Sequence, residues 1–109
     1  MFVAEPPTVT VHPRDQTVRA GAIASIWCHV TPSEPPAQLS WRKNGKRISS
    51  FQSRYQIKDL PAADGTLLRI DPVRLVRDEA VYECVAETTQ GEQVSADSSI
   101  TVLESESLN

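Results

Sequence analysis

The chain has 109 residues, of which 39% are hydrophobic, and its 14 acidic and 11 basic residues give a formal net charge of −3. This length corresponds to one domain, and the sequence contains no run of about eighteen apolar residues that could span a membrane. The acidic balance argues against a polyanion partner, but the charges are unevenly distributed. No acidic residue lies between Glu34 and Asp59, whereas nine of the fourteen acids lie from Asp71 onward. The sequence therefore predicts a local basic patch on an acidic domain.

We expect the folded domain to cover residues 6–104, with residues 1–5 and 105–109 as linker or expression-derived segments. The amino terminus is too short and too acidic for a signal peptide. We therefore expect the chain to be a piece of a longer secreted or membrane-anchored protein.

Short segments with alternating apolar residues follow one another along the chain, and turn signals separate them every eight to twelve residues. In the third segment Ala24, Ile26, Cys28 and Val30 lie on one face at a period of two. Pro13 limits the first segment to a sheet edge, because proline cannot donate to a ladder. The predicted strands cover residues 8–11, 16–19, 22–30, 39–43, 46–48, 54–60, 66–70, 80–88 and 93–102. This pattern predicts an all-β sandwich.

The dipeptide Asn44-Gly45 predicts a two-residue hairpin of type I′. Such a turn places Lys43 opposite Lys46 and Arg42 opposite Arg47. Like charges directly across an antiparallel pair are destabilising, and a local rule broken twice indicates a functional surface. The alternative is a solvated hairpin tip whose lysines discourage edge-to-edge pairing.

A cysteine, a tryptophan thirteen residues later, and a second cysteine preceded by a tyrosine form one frame: Cys28, Trp41, Tyr82 and Cys84. This frame resembles that of immunoglobulin domains. The resemblance implies an immunoglobulin-like (I-set) β-sandwich with an inter-sheet disulfide Cys28–Cys84 and a tyrosine hydroxyl bonded back to the main chain. The chain-entropy model gives such a disulfide about 4 kcal/mol of stability. The alternative is a pair of reduced core cysteines, as in muscle filament domains.

Catalytic chemistry is not indicated by the sequence. The two histidines are His12, on an edge strand, and His29, which should point away from the core. No nucleophile triad, glycine-rich phosphate loop or metal-ligand spacing is present. We therefore predict no enzyme activity, no cofactor and no metal for this chain.

In an immunoglobulin sandwich the connection before the second-cysteine strand lies at the same end as the predicted hairpin. Its residues Arg74 and Arg77 should then approach the hairpin lysines. Arg54 could extend the strip, or it could form an ion pair with Asp78. Arginine binds sulfate and phosphate oxygens through paired hydrogen bonds, and lysine adds point charge.

The compartment decides which polyanion such a strip would bind. A disulfide-bearing domain meets sulfated glycosaminoglycans outside the cell and rarely meets nucleic acid. Aromatic side chains for base stacking are scarce near the strip, where only Phe51 and Tyr55 occur. We therefore predict binding to heparan or chondroitin sulfate and no nucleic-acid partner.

The stretches 68–84 and 41–50 resemble the first immunoglobulin domain, and its lysine-rich loop, of the leukocyte common antigen-related (LAR-type) receptor protein tyrosine phosphatases. The resemblance implies the extracellular part of a single-pass plasma-membrane receptor, with phosphatase chemistry in cytoplasmic domains outside this chain. It also implies an adjacent second immunoglobulin domain, sulfated proteoglycan and synaptic adhesion partners, and roles in axon guidance and synapse organisation. The predicted sulfate-binding residues are Arg42, Lys43, Lys46, Arg47, Arg54, Arg74 and Arg77.

The sequence departs from the vertebrate members of that family at two positions. Asn44 stands where they have a further lysine, and Arg42 stands where they have an uncharged residue, so the pattern is more similar to an invertebrate member. Two other functions stay open from the residues: a protein adhesion module that uses a sheet surface or the proline-rich loop 31–37, and an intracellular filament module.

Overall fold

The computed structural model describes residues 6–49 and 54–104. These residues form nine strands and one short 3₁₀ helix. The strands are β1 Val9–His12, β2 Asp15–Arg19, β3 Ala24–Val30, β4 Ala37–Lys43, β5 Lys46–Arg47, β6 Tyr55–Asp59, β7 Gly65–Ile70, β8 Ala80–Thr88 and β9 Gln93–Leu103. The helix, which was not predicted, covers Pro61–Ala63 between β6 and β7.

The strands form two sheets packed face to face. The four-stranded sheet has the order β1-β3-β7-β6, and the five-stranded sheet has the order β2-β9-β8-β4-β5. Strands β2 and β9 pair in parallel, while the other neighbours in both sheets are antiparallel. Strand β1 lies at a sheet edge, as Pro13 predicted. The predicted all-β sandwich is confirmed.

The centre of the sandwich is the disulfide between Cys28 on β3 and Cys84 on β8, with an S–S distance of 2.05 Å. Trp41 packs in the same core with no exposed surface, and its indole N–H donates to the hydroxyl of Thr66 over 3.3 Å. A buried indole needs such a partner, because an unsatisfied donor in the core would be costly. The predicted disulfide Cys28–Cys84 is present in this core.

The second-cysteine strand is anchored by the tyrosine that precedes the cysteine. Tyr82 is fully buried, and its hydroxyl donates to the main-chain carbonyl of Asp78 over 2.7 Å. This bond was predicted from the immunoglobulin frame, and it fixes the connection between β7 and β8 against the core. Val73, also in this connection, is 1% exposed, as expected from its apolar side chain.

Gly65 lies between the predicted strands 54–60 and 66–70, where a turn was expected, but it is the first residue of β7 and pairs with His29 of β3. A Cβ atom at this position would lie 1.8 Å from the carbonyl oxygen of Cys28. Two main chains can approach this closely only where one residue has no side chain. The glycine is therefore required for β7 to pair beside the disulfide.

Candidate functional site

The predicted hairpin joins β4 and β5. Asn44 has a φ of 49° and Gly45 a φ of 86°, the two positive values that a type I′ turn requires. The register places Lys43 opposite Lys46 and Arg42 opposite Arg47, as predicted. The chain therefore does place like charges across the hairpin twice.

The connection between β7 and β8 meets this hairpin at one pole of the molecule. The Lys43 ammonium donates to the main-chain carbonyl of Arg77. The amide of Asn44 donates to the carbonyl of Val81 over 2.9 Å, and the Val81 amide donates to the Asn44 side-chain oxygen over 3.0 Å. Two segments that are remote in sequence are thus in direct contact, as the predicted topology required.

An open groove with a volume of about 660 Å³ lies at this pole. Its lining contains five basic residues and no acidic residue. The lining residues are Lys43, Asn44, Lys46, Arg47, Ile48, Arg54, Tyr55 and Arg77.

Two of the seven predicted binding residues lie outside the groove lining. Arg42 pairs with Glu83 of β8 and Arg47 of β5, and it alternates along β4 with the buried Trp41. Its side chain therefore projects from the outer face of the five-stranded sheet, opposite a carboxylate. Its register partner Arg47 is on the same face but lies at the sheet edge, where it also lines the groove. Arg74 is exposed in the β7–β8 connection, but it does not line the groove.

Beneath the groove lies a buried carboxylate. Asp78 has no exposed side-chain surface and accepts hydrogen bonds of 2.5 and 3.2 Å from the guanidinium of Arg54. It also accepts from the Tyr55 hydroxyl and, over 2.6 Å, from the main-chain amide of Arg74. The ion pair considered as the alternative role of Arg54 is therefore present.

The charges of this ion pair stabilise each other. Burial raises the pKa of Asp78, but the hydrogen bonds from Arg54 and Tyr55 outweigh it and hold the pKa below its ordinary value. The hydrogen bond to Asp78 raises the pKa of Arg54. Burial also raises the pKa of the neighbouring Tyr82 phenol, which therefore stays protonated. The pair is fixed in its charged form across the neutral range.

Two cations lie close to the ring of Tyr55. The Lys43 nitrogen is 5.6 Å from the ring centroid, and the Arg54 guanidinium carbon is 5.4 Å from it. Both distances fall within the range of cation–π attraction. We call Lys43, Arg54, Tyr55 and Asp78 the floor of the groove. The scarcity of aromatic residues near the strip concerned Tyr55 only as a base-stacking residue, although Tyr55 and Ile57, two residues apart in one predicted strand, share a face, which indicated an inward side chain.

The remaining three cations in the lining are exposed: Lys46, Arg47 and Arg77. Their side chains form no hydrogen bond or ion pair within residues 6–49 and 54–104. We call these three residues the rim of the groove. They present unneutralised charge to the solvent, which is the condition for attracting an anion.

No group of three or more His, Cys, Asp or Glu side chains is arranged to hold a metal ion in the part that the structure describes. No helix among the described residues is long and apolar enough to cross a membrane.

The sequence model of the immunoglobulin domain family matches residues 6–88 of this chain. The chain belongs to the immunoglobulin domain family. It is 46% identical over 101 residues to the tyrosine-protein phosphatase Lar of Drosophila melanogaster. The aligned region covers 93% of this chain and 5% of that protein. It is 41% identical over 96 residues to the human receptor-type tyrosine-protein phosphatase F, covering 88% of this chain and 5% of that protein.

A solved structure gives the same picture. The fold matches the crystal structure of the N-terminal Ig1-2 module of the Drosophila receptor phosphatase DLAR with a TM-score of 0.85 and 45% identity. The match covers 94% of this chain and 51% of that one. The predicted similarity to LAR-type receptor tyrosine phosphatases is confirmed. The matched region is an immunoglobulin domain and not a phosphatase domain.

Proposed function

We propose that this domain is an extracellular binding module of a LAR-type receptor tyrosine phosphatase, and that it binds the sulfated glycosaminoglycans of heparan or chondroitin sulfate proteoglycans. The observation that carries the proposal is the groove between the hairpin and the β7–β8 connection, whose lining has five cations and no carboxylate. The ligand is a linear polyanion, because the groove is open and extends between two turns.

The rim supplies the ligand contacts in this proposal. Arg47 and Arg77 each offer a guanidinium that can donate two parallel hydrogen bonds to one sulfate group. Lys46 adds a compact positive charge beside them. The floor supports the rim, since Asp78 is neutralised by Arg54 and therefore does not repel an incoming sulfate.

The net charge of −3 does not oppose this binding. Charges on a protein surface are screened over about 8–10 Å at physiological ionic strength. A sulfate in the groove therefore interacts mainly with the rim, and only weakly with acids elsewhere on the domain. The binding should also depend strongly on salt, because a bound linear polyanion releases its counterions.

The test is chromatography on heparin with a salt gradient. The triple variant Lys46→Ala/Arg47→Ala/Arg77→Ala removes the rim. We expect the wild-type domain to elute above physiological salt and the rim variant to elute below it.

The matched control is Arg14→Ala/Arg19→Ala/Lys58→Ala, which removes three exposed cations outside the groove and changes the net charge equally. This control should elute close to the wild type. Elution of the rim variant at the wild-type salt concentration would show that the groove is not the binding site.

A second function is favoured by one observation, the exposed Trp27. It is 41% exposed in the middle of the outer face of the four-stranded sheet, where it pairs with His12 and Leu67 on the two neighbouring strands. An exposed indole is typical of protein-binding surfaces. In this alternative the domain is a protein adhesion module, and its complexes resist salt, weaken on Trp27→Ala and tolerate loss of the rim.

The wider context follows from the same proposal. The solved relatives are tandem immunoglobulin repeats, which supports an adjacent second immunoglobulin domain as an intramolecular partner. A parent receptor of this type would have a single membrane span, cytoplasmic phosphatase domains, and roles in axon guidance and synapse organisation through proteoglycan and adhesion partners.

A further inference from the structure

The two lysines that face each other across the hairpin have different surroundings. Lys46 is exposed and has no side-chain partner among the described residues. Lys43 is half-buried, its nitrogen lies 5.6 Å from the centre of the Tyr55 ring, and it donates to the carbonyl of Arg77. The donor capacity and the charge of Lys43 are therefore partly engaged inside the protein.

The positions of the two strands in the sheet explain this difference, because the paired lysines point to the same face but β4 lies beside β8, whereas β5 is the sheet edge. Lys43 is the last residue of β4, and it has the same parity as the buried Trp41, so its side chain turns towards the space between the sheets. At the end of the strand this direction leads across the pole of the sandwich to the β7–β8 connection. The Lys43 side chain thus extends from β4 in the five-stranded sheet to the connection that follows β7 in the four-stranded sheet.

The segment that Lys43 reaches is a tight turn that is exposed to solvent. The Arg77 amide donates to the main-chain carbonyl of Leu75 over 2.8 Å, and the Asp78 amide donates to the main-chain carbonyl of Arg74 over 3.1 Å. Val76, at the tip of this turn, is 82% exposed and has a φ of 70°. A β-branched residue seldom adopts this conformation, so contacts elsewhere must hold the turn in place.

Few such contacts join the turn to the rest of the domain. The Asp78 carboxylate binds Arg54 and Tyr55 of the floor, and the Asp78 carbonyl accepts a hydrogen bond from the Tyr82 hydroxyl, so the end of the turn is fixed. On the side of the hairpin, a described side chain bonds to the turn through the Lys43 ammonium, which donates to the Arg77 carbonyl. Without this bond, the main chain at Arg77 would be tied to the hairpin only through the Asn44–Val81 hydrogen bonds at the start of β8, four residues further along the chain.

We infer that Lys43 is a positioning residue of the groove: it holds the β7–β8 turn against the hairpin and so sets the distance between Arg77 and the other rim cations. Lys43 acts on the polyanion through Arg77 and not by direct contact with sulfate. This inference rests on the proposed polyanion function, and it concerns how the site is built.

A double-mutant cycle with heparin as the probe tests the inference. Lys43→Met removes the charge and the donor but keeps the length of the side chain. We expect it to weaken heparin affinity about threefold or more in the wild-type background, and to have little effect in the Arg77→Ala background, because residues that act through one another are not additive. Lys43→Arg, which keeps a cationic donor, should restore most of the affinity.

The matched control is Lys46→Ala, which should weaken binding by a similar factor in both backgrounds because Lys46 and Arg77 contact the ligand independently. An equal loss from Lys43→Met in both backgrounds would show that Lys43 itself contacts sulfate, and would overturn the inference.

A second measurement does not depend on heparin. Amide hydrogen exchange at Arg77 and Asp78 in the free domain should become faster in Lys43→Met and stay unchanged in Lys46→Ala. Unchanged exchange in Lys43→Met would overturn the inference even if heparin binds. If the wild-type domain does not bind heparin, the proposed function fails, and this exchange measurement still decides whether Lys43 holds the turn.

Discussion

The floor and the rim of the groove both contain lysine and arginine at one pole of the molecule, but these cations have different roles. In the floor, Arg54 pairs with a carboxylate that has no exposed side-chain surface, and Lys43 lies against the Tyr55 ring. In the rim, the lysine and the two arginines have no side-chain partner among the described residues. The partner, and not the residue type, therefore decides whether a cation supports the fold or is available to a ligand.

The surrounding medium explains the difference. A buried carboxylate must be paired and hydrogen-bonded, and loss of its partner leaves an uncompensated charge. An exposed cation is solvated and screened, so its removal costs little. We therefore expect substitutions in the floor to change stability, and substitutions in the rim to change binding.

The largest expected effect is that of Arg54→Met. This change leaves Asp78 buried without its counter-ion, and breaking a buried pair costs about 3–5 kcal/mol. We expect a loss in the free energy of unfolding of about 3 kcal/mol, at the low end of that range, because the Arg54 side chain keeps 22% of its exposure. Urea unfolding followed by tryptophan fluorescence measures it.

The control for this measurement is Lys58→Met, which removes an exposed cation from β6, the strand that follows Arg54 directly. It should change the free energy of unfolding by no more than about 0.5 kcal/mol. Equal effects of the two substitutions would remove the distinction between floor and rim.

A smaller effect is expected in the pH dependence of stability. The pKa of Asp78 is lowered in the folded domain relative to its ordinary value of 3.8, so its ionised form stabilises the fold. This stabilisation is present above about pH 4 and is lost as the pH falls through the folded-state pKa. Asp78→Asn should remove that part of the acid sensitivity, as measured by urea unfolding between pH 2 and pH 7.

In the same series, Asp59→Asn changes an exposed acid on β6 and should leave the acid sensitivity as in the wild type. An unchanged acid profile in Asp78→Asn would mean that the carboxylate contributes nothing through its charge.

The smallest expected effect is on the rim, and it has the opposite sign. Lys46→Glu replaces like charges across the hairpin by opposite charges, because residue 46 faces Lys43. We expect stability to rise by about 0.2–1 kcal/mol, while retention on heparin falls. Thermal unfolding and heparin chromatography of the same preparation measure both quantities.

Lys46→Gln, which removes the repulsion without adding attraction, should lie between the wild type and Lys46→Glu in stability. A loss of stability in Lys46→Glu would show that the facing lysines are not in conflict, and would weaken the case that the hairpin keeps them for binding.

Most of the fold could be predicted, because local patterns identify it. The residue frame around Cys28, Trp41 and Cys84 predicted the sandwich and its disulfide, and Asn44-Gly45 predicted the hairpin register. Gly65 shows the limit. The sequence indicated a turn there, whereas the requirement for glycine comes from the main chain of Cys28, which approaches it from another strand.

The candidate site was predicted in part. The topology of the sandwich predicted that Arg77 lies near the hairpin, and Arg77 does line the groove together with the hairpin residues. The position of Arg42 could have been inferred from alternation, since its neighbour Trp41 was already assigned to the core. The hydrogen-bond partner of Lys43 could not be inferred from the sequence, because a bond to the Arg77 carbonyl depends on where the turn lies in three dimensions.

Local sequence patterns specify the apolar residues of the core, the approximate strands and the cations that face each other across the two-residue turn, because these properties depend on alternation and local conformation. Only the tertiary structure decided which cations are neutralised. That outcome depends on the buried Asp78 carboxylate and the Tyr55 ring, which approach Arg54 and Lys43 only after both sheets have packed. Charge is a property of each residue, but availability to a ligand is a property of the assembled pole.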